Sequence, residues 1–259
     1  MPTRDHRGPW RWTDSRGITL ELPSAPRRVA VADLLATSTL AAAGINPVAA
    51  ALGPDPEHDV CFAAAGFSAD GVARLDTPDD PAVRPDALAE SRPDLIVDRH
   101  PNRYPGFPVV TLPLKARGQS LDDLLAETAR LAVALGAAPP APDSYEAAKL
   151  RVTAALSGRT ILFGYARGAR LSILDPTRYP WLVTLRELGL RVIGDHTADD
   201  APHGTPVPWA AVSADLILVD GPTPPGFGAH PWDDAWHAFS YPNYARLFTA
   251  LTTLDRTAA

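Results

Sequence analysis

Two groups of cationic and aromatic side chains stand where strands are expected to end, and their types suit capture of a small molecule. Arg99, His100, Arg103 and Tyr104 follow the apolar run 94–98, Tyr165, Arg167 and Arg170 follow 160–164, and Trp209 and Trp232 sit in later loops. Arginine offers charge and a planar fork of donors to ligand oxygens, while Trp and Tyr cover broad apolar faces. The plainer alternative for each is a solvated surface charge or a ring filling a gap in the core. Signatures of catalysis are missing: no G-x-S-x-G, H-E-x-x-H or phosphate-loop sequence occurs. Gly164-Tyr165-Ala166-Arg167-Gly168 follows a strand but lacks the dinucleotide-binding spacing. Asp195-His196 and Asp98 with His100 are acid-base pairs of a kind common in loops. His230 and His237 have no evident third partner, so no metal site is expected. The balance favours binding over enzymatic turnover.

The elements that must position these groups form a pattern that appears twice. An apolar strand, a loop rich in polar side chains and a helix ending in Gly run from Arg28 to Val48, and again from Thr160 to Val192. Strands alternating with helices imply parallel sheets, and ligands of such sheets bind beyond the carboxyl ends of the strands. The expected fold is α/β: two α/β lobes with mostly parallel sheets, a helical connector and a ligand cleft between the lobes. Residues 1–27 read as an extension and β-hairpin turning at Asp14-Ser15-Arg16-Gly17. The N-terminal lobe is expected over 28–136, the connector over 137–158 and the C-terminal lobe over 159–259. Within the first lobe, 53–80 reads as loop, punctuated by Pro and Gly. Pro139, Pro140 and Pro142 interrupt the connector, because proline lacks the amide proton that a helix interior needs.

Composition narrows the partners. The 259 residues are 46% apolar and 21% charged, as in globular proteins, and the formal net charge of -6 argues against a nucleic-acid face. A single cysteine, Cys61, excludes an intrachain disulfide and reads as a small buried hydrophobe. No apolar stretch of about 18 residues is present to span a bilayer. The first ten residues hold neither an apolar run of signal-peptide length nor a lipid-bearing cysteine. A cytoplasmic location is therefore expected of the chain as it stands, and an extracytoplasmic one if it is a shortened form of an exported receptor.

Read in order, several segments resemble the ABC-transporter substrate-binding proteins for iron-siderophores, haem and cobalamin. They are Thr13-Asp14-Ser15-Arg16-Gly17, Pro26-Arg27-Arg28-Val29, Leu40 to Val48, Arg92-Pro93-Asp94-Leu95-Ile96-Val97, Leu131 to Gly136, and Val212-Ser213-Ala214-Asp215-Leu216-Ile217-Leu218-Val219. The resemblance implies a helical-backbone periplasmic binding protein fold and no resident cofactor. It implies that a ferric siderophore or similar metal chelate is bound in the inter-lobe cleft, where the residues near strand ends and in later loops, Arg99, His100, Arg103, Tyr104, Tyr165, Arg167, Arg170, Trp209 and Trp232, are expected to touch it without a protein ligand on the metal. Haem and cobalamin are the less favoured guests. It further implies a monomer that docks on an ABC permease through one acid on each lobe. Asp86 falls at the first of these positions and Val207 at the second, so one acidic contact is replaced. The rival reading is a cytoplasmic descendant of the same fold that acts as an intracellular carrier or as an enzyme on a natural-product scaffold.

Overall fold

The computed structural model describes residues 8–53, 57–77, 82–100, 103–114, 116–194, 205–225, 227–233, 236 and 238–254. Asp195, His196 and His237 lie outside them. Packing divides the chain into two units: 1–114 with 125–140 and 234–240, and 115–124 with 141–233 and 241–259. Residues 137–158, expected to bridge the lobes, are thus shared between the units. The helix that begins in one unit and ends in the other is α4 (Leu121–Ala134).

In the first unit, β1 (Trp10–Thr13) and β2 (Thr19–Leu22) form an antiparallel hairpin. Its turn closes because the Asp14 carboxylate accepts the amides of Arg16 and Ile18, both at 3.0 Å, and Gly17 takes φ +80°, where a side chain would strain the backbone. The hairpin is held on α4: Trp10 Nε1 donates to the Ala134 carbonyl, the Ser15 amide donates to buried Glu127, and the Arg130 guanidinium lies over the Trp12 ring at 5.1 Å.

The sheet behind it holds β3 (Val29–Val31), β4 (Ala49–Ala50), β5 (Ala73–Arg74), β6 (Leu95–Asp98) and β7 (Val109–Thr111), all parallel in the order β5-β4-β3-β6-β7. Its strands β3, β4 and β6 are short and buried throughout, as a covered parallel sheet requires, while the edge strand β5 is partly exposed. Helices α1 (Leu34–Ala42), α2 (Glu57–Ala64) and α3 (Pro85–Ser91) connect them. Gly44, at φ +88°, ends α1, where the amides of Gly44 and Ile45 reach back to the carbonyls of Ala41 and Leu40. The stretch 53–80 is not the plain loop that its composition suggests, since it holds α2 and β5. Cys61 on α2 is 2% exposed.

The second unit is built on β8 (Thr160–Arg167), β9 (Arg170–Ile173), β10 (Arg191–Ile193), β11 (Thr205–Pro208), β12 (Leu216–Asp220) and β13 (His230–Pro231). β10, β12 and β13 join the parallel part around β8, while β9 and β11 add an antiparallel edge. The strand expected to stop at Gly164 continues to Arg167 and turns through Gly168-Ala169 into β9. Gly164 permits this close return: a Cβ there would sit 2.7 Å from the Ser172 carbonyl oxygen. Helices α5 (Asp143–Leu156), α6 (Pro180–Glu187) and α7 (Tyr241–Leu254) complete the unit. The ring of Tyr145 in α5 meets Phe248 of α7 at a tilt, 5.6 Å between centroids, and Tyr145 donates to Asp122 at 2.6 Å, while Lys149 reaches the same carboxylate at 2.8 Å.

Candidate functional site

Strand order puts a switch point in the first sheet. From β3 the connections step outward through β4 to β5, and from β6 they step the other way to β7, so β3 and β6 lie side by side with their crossovers diverging. The carboxyl ends at such a point are where open parallel sheets hold ligands. Asp33 follows β3, and Asp98 ends β6, followed by Arg99 and His100.

These residues are tied to one another. Asp33 accepts the Ala36 amide at 3.1 Å and so caps α1, and its other oxygen lies 3.2 Å from Arg99 Nε. The arginine expected to meet a ligand anion is therefore already neutralised by a carboxylate. Asp98 is fully buried, and the His100 and Arg99 amides and the Tyr104 hydroxyl are directed at its carboxylate without reaching ideal hydrogen-bond geometry. Burial pushes its pKa above the ordinary carboxylate value; the His100 amide pulls it down, and the Asp33 charge adds to the rise. Tyr104 is half-buried against Ala30, Ile96 and their neighbours, and its hydroxyl is pushed up by burial and then by the charge of Asp98. His100 is half-buried and Arg103 exposed. Two strands out from β3, after β5, Asp76 accepts the Leu52 amide at 3.1 Å and the Gly53 amide at 2.6 Å, and pairs with Arg74 at 3.1 Å.

The second sheet presents rings instead. Phe163 in β8 meets Trp232 at 4.7 Å, Trp181 at 5.3 Å, Tyr179 at 5.5 Å and Tyr165 at 5.9 Å. Trp181 and Trp232 stack at 5.2 Å. Phe163 and Trp181 are buried, whereas Tyr165, Tyr179 and Trp232 are half-buried. Burial, then the charge and hydrogen bond of Tyr165, push the Tyr179 hydroxyl far up, so this phenol stays neutral at physiological pH.

The other expected contacts lie elsewhere. Arg167 and Arg170 face each other across the two-residue turn of the β8–β9 hairpin, both exposed, with Arg170 donating to the Pro206 carbonyl at 3.1 Å. They belong to strands, not to a loop beyond a strand end, because the hairpin extends β8. Trp209 is 7% exposed, donates through Nε1 to the Gly168 carbonyl at 3.2 Å and meets Phe227 edge-on at 4.7 Å within the cluster of Leu162, Leu171, Ile217 and Val219. It fills the core. Val207 packs on the same cluster from β11. Asp86, in the first turn of α3, has a side chain 71% exposed, 4.0 Å from Arg84.

Sequence reasoning passed over Asp33, Tyr179 and Trp181. Asp33 had a readable signal as the first polar residue after an apolar strand. Tyr179 and Trp181 had none, because their place beside β8 is set by the turn that feeds α6. Among the described residues no group of three or more His, Cys, Asp or Glu is placed to hold a metal ion, and no helix is long and apolar enough to cross a membrane.

No protein-family model matches the chain, and no curated protein matches its sequence. Solved structures match its fold. DesE, a ferric-siderophore receptor protein from Streptomyces coelicolor, aligns with a TM-score of 0.75 at 15% identity, over 95% of this chain and 98% of that one. BauB, a siderophore binding protein solved with two molecules of acinetobactin and ferric iron, aligns at 0.69 and 14%, over 95% and 98%. A TroA-like periplasmic binding protein from Xylanimonas cellulosilytica aligns at 0.64 and 18%, over 96% and 99%. With two α/β units on mostly parallel sheets, matched over nearly their whole length by binding proteins, this chain has the TroA-like periplasmic binding protein fold.

Proposed function

We propose that the chain binds a ferric siderophore or a similar metal chelate and serves as the solute-binding component of an ABC iron-uptake system. The observation that carries this reading is the ring group beside β8, where half-buried Tyr165, Tyr179 and Trp232 rest on buried Phe163 and Trp181. A rigid aromatic surface of this kind suits the bulky organic framework of a chelate, since large rings give contact area at little loss of side-chain freedom. The fold shared with ferric-siderophore receptors supports the same reading. Asp86 is the group proposed to meet a permease arginine; Val207, an apolar side chain half-buried against the core of its unit, offers nothing comparable.

Intrinsic fluorescence tests the proposal. A ferric chelate that rests against Trp232 should quench the tryptophan emission saturably, and Trp232→Phe should remove much of that amplitude while calorimetry still detects binding. Titration with ferric trihydroxamates, a ferric tricatecholate, haem and cobalamin covers the relevant chemistry. Absence of a saturable response to every member would end the proposal.

A further inference from the structure

Within the second unit, three neighbouring strands end in one row of side chains. In the β8–β12 ladder Phe163 stands beside Leu218 and Tyr165 beside Asp220, and in the β12–β13 ladder Leu218 stands beside His230. The Trp232 amide donates to the Val219 carbonyl at 2.8 Å, which carries the second ladder one residue further and sets Trp232 beside Asp220. Registered residues of parallel strands point to the same face, so Tyr165, Asp220 and Trp232 form a row at the carboxyl edge of this sheet, with the carboxyl between the two rings. All three are half-buried, and Phe163 meets both rings, Tyr165 at 5.9 Å and Trp232 at 4.7 Å. Tyr179, whose hydroxyl is pushed up by burial and then by the charge and hydrogen bond of Tyr165, also feels the Asp220 charge, which sets it beside the same row. Arg178, the cation next to Tyr179, pairs with Asp175 at 3.8 Å; Arg167, past Tyr165 on β8, is exposed and its charge is screened by water.

We infer that this row receives an alkylammonium group of the bound molecule, held against the rings of Tyr165 and Trp232 with Asp220 as its counter-charge. Aromatic faces attract a cation through the ring quadrupole, Trp most strongly, and a carboxylate attracts it directly. For an ammonium the two attractions add. For a carboxylate or a catecholate oxygen the Asp220 charge opposes binding, and for an uncharged alkyl group only contact with the rings remains. This rests on the chelate-binding function proposed above for the molecule that carries the group, and it narrows that guest to a chelate with a positively charged arm.

Choline tests the row without a chelate, beside its uncharged isostere in which a tert-butyl group replaces the trimethylammonium. Dissociation constants are read from the methyl proton resonances of the probes, which aromatic rings displace upfield, for the full chain and for Asp220→Asn and Trp232→Leu at constant ionic strength; circular dichroism checks that both variants remain folded. In the unaltered chain choline should bind about tenfold more tightly than its isostere. Asp220→Asn should narrow that ratio to within about threefold and leave the affinity of the isostere unchanged, whereas Trp232→Leu should weaken choline by about tenfold. Equal affinities for the two probes, no saturable shift of either, or a ratio unmoved by Asp220→Asn overturns the inference, while saturable quenching by a ferric chelate would still uphold the proposed function. Choline bound as stated while every chelate of the panel above fails to quench ends the proposed function and the chelate as carrier, and leaves the row as an alkylammonium site.

Discussion

A carboxyl at the last position of a central parallel strand has neighbours on both sides, and Asp98 shows the consequence. Its ladder places it beside Thr111, and the packing leaves it no exposure, with the His100 and Arg99 amides and the Tyr104 hydroxyl as its polar neighbours. Burial favours the neutral form, so the folded chain holds this proton to higher pH than the unfolded chain does. Between the ordinary value of 3.8 and the raised one, the folded state therefore binds more protons, and stability declines as pH rises through that window. Asp98→Asn, which carries no charge to bury, should stabilise the protein by about 1 kcal/mol at pH 7 and by progressively less toward pH 4. Thermal melts of the two proteins across this range give the measurement; a gap that grows on acidification would refute the assignment. The sequence showed that Arg99, Tyr104, Tyr165 and Trp232 follow or sit near strand ends. It could not show that Arg99 is answered by Asp33, nor that Trp209 is core while Trp232 is half-buried, because partner and burial are set by contacts between distant elements.

Among the elements, one device occurs in both sheets and gives physical content to two of the segments behind the family resemblance. Asp94, just before β6, accepts the amides of Arg27 and Arg28 at 2.8 Å each, and Asp215, just before β12, accepts the Thr160 amide at 2.6 Å and its hydroxyl at 2.7 Å. Each carboxylate ties the start of one central strand to the start of its neighbour, fixing the register of the ladder. These bonds hold the Asp215 carboxyl below its usual range. Asp94→Ala should lower stability by about 1–2 kcal/mol, the loss of charge-assisted bonds to two backbone amides, without changing how tightly a chelate binds. Urea denaturation beside chelate titration separates the two effects, and an unaltered midpoint would show the clamp to be idle. The apolar runs and glycine caps made β3, β6, β12, α1 and α4 legible in the sequence. β5 and β9 were not, because a strand of two residues is defined only by its ladder, and the β8–β9 return depends on the missing side chain of Gly164.

At the scale of the whole molecule, the path of the chain decides how the units depend on one another. A boundary near Gly158, natural to the sequence, would leave the first unit without 234–240, yet Trp236, Ala238 and Phe239 in that segment are at most 9% exposed. Burying a large apolar side chain contributes about 1.5–3 kcal/mol, so the two rings supply a substantial part of a typical domain stability of about 5–15 kcal/mol. The same fragment would keep α5 while removing α7, whose Phe248 and Tyr241 rings each lie 5.6 Å from the Tyr145 ring. A chain ending at residue 158 should therefore unfold in urea with a shallow transition at low denaturant, whereas the full chain should unfold steeply, its slope scaling with the area exposed. Fusing 234–240 back onto that fragment through a flexible linker should recover part of the lost midpoint, because the buried rings regain their place. A bare fragment unfolding as steeply as the full chain, at a midpoint within ~0.5 M urea of it, would mean that the returning segment adds nothing to the unit it completes.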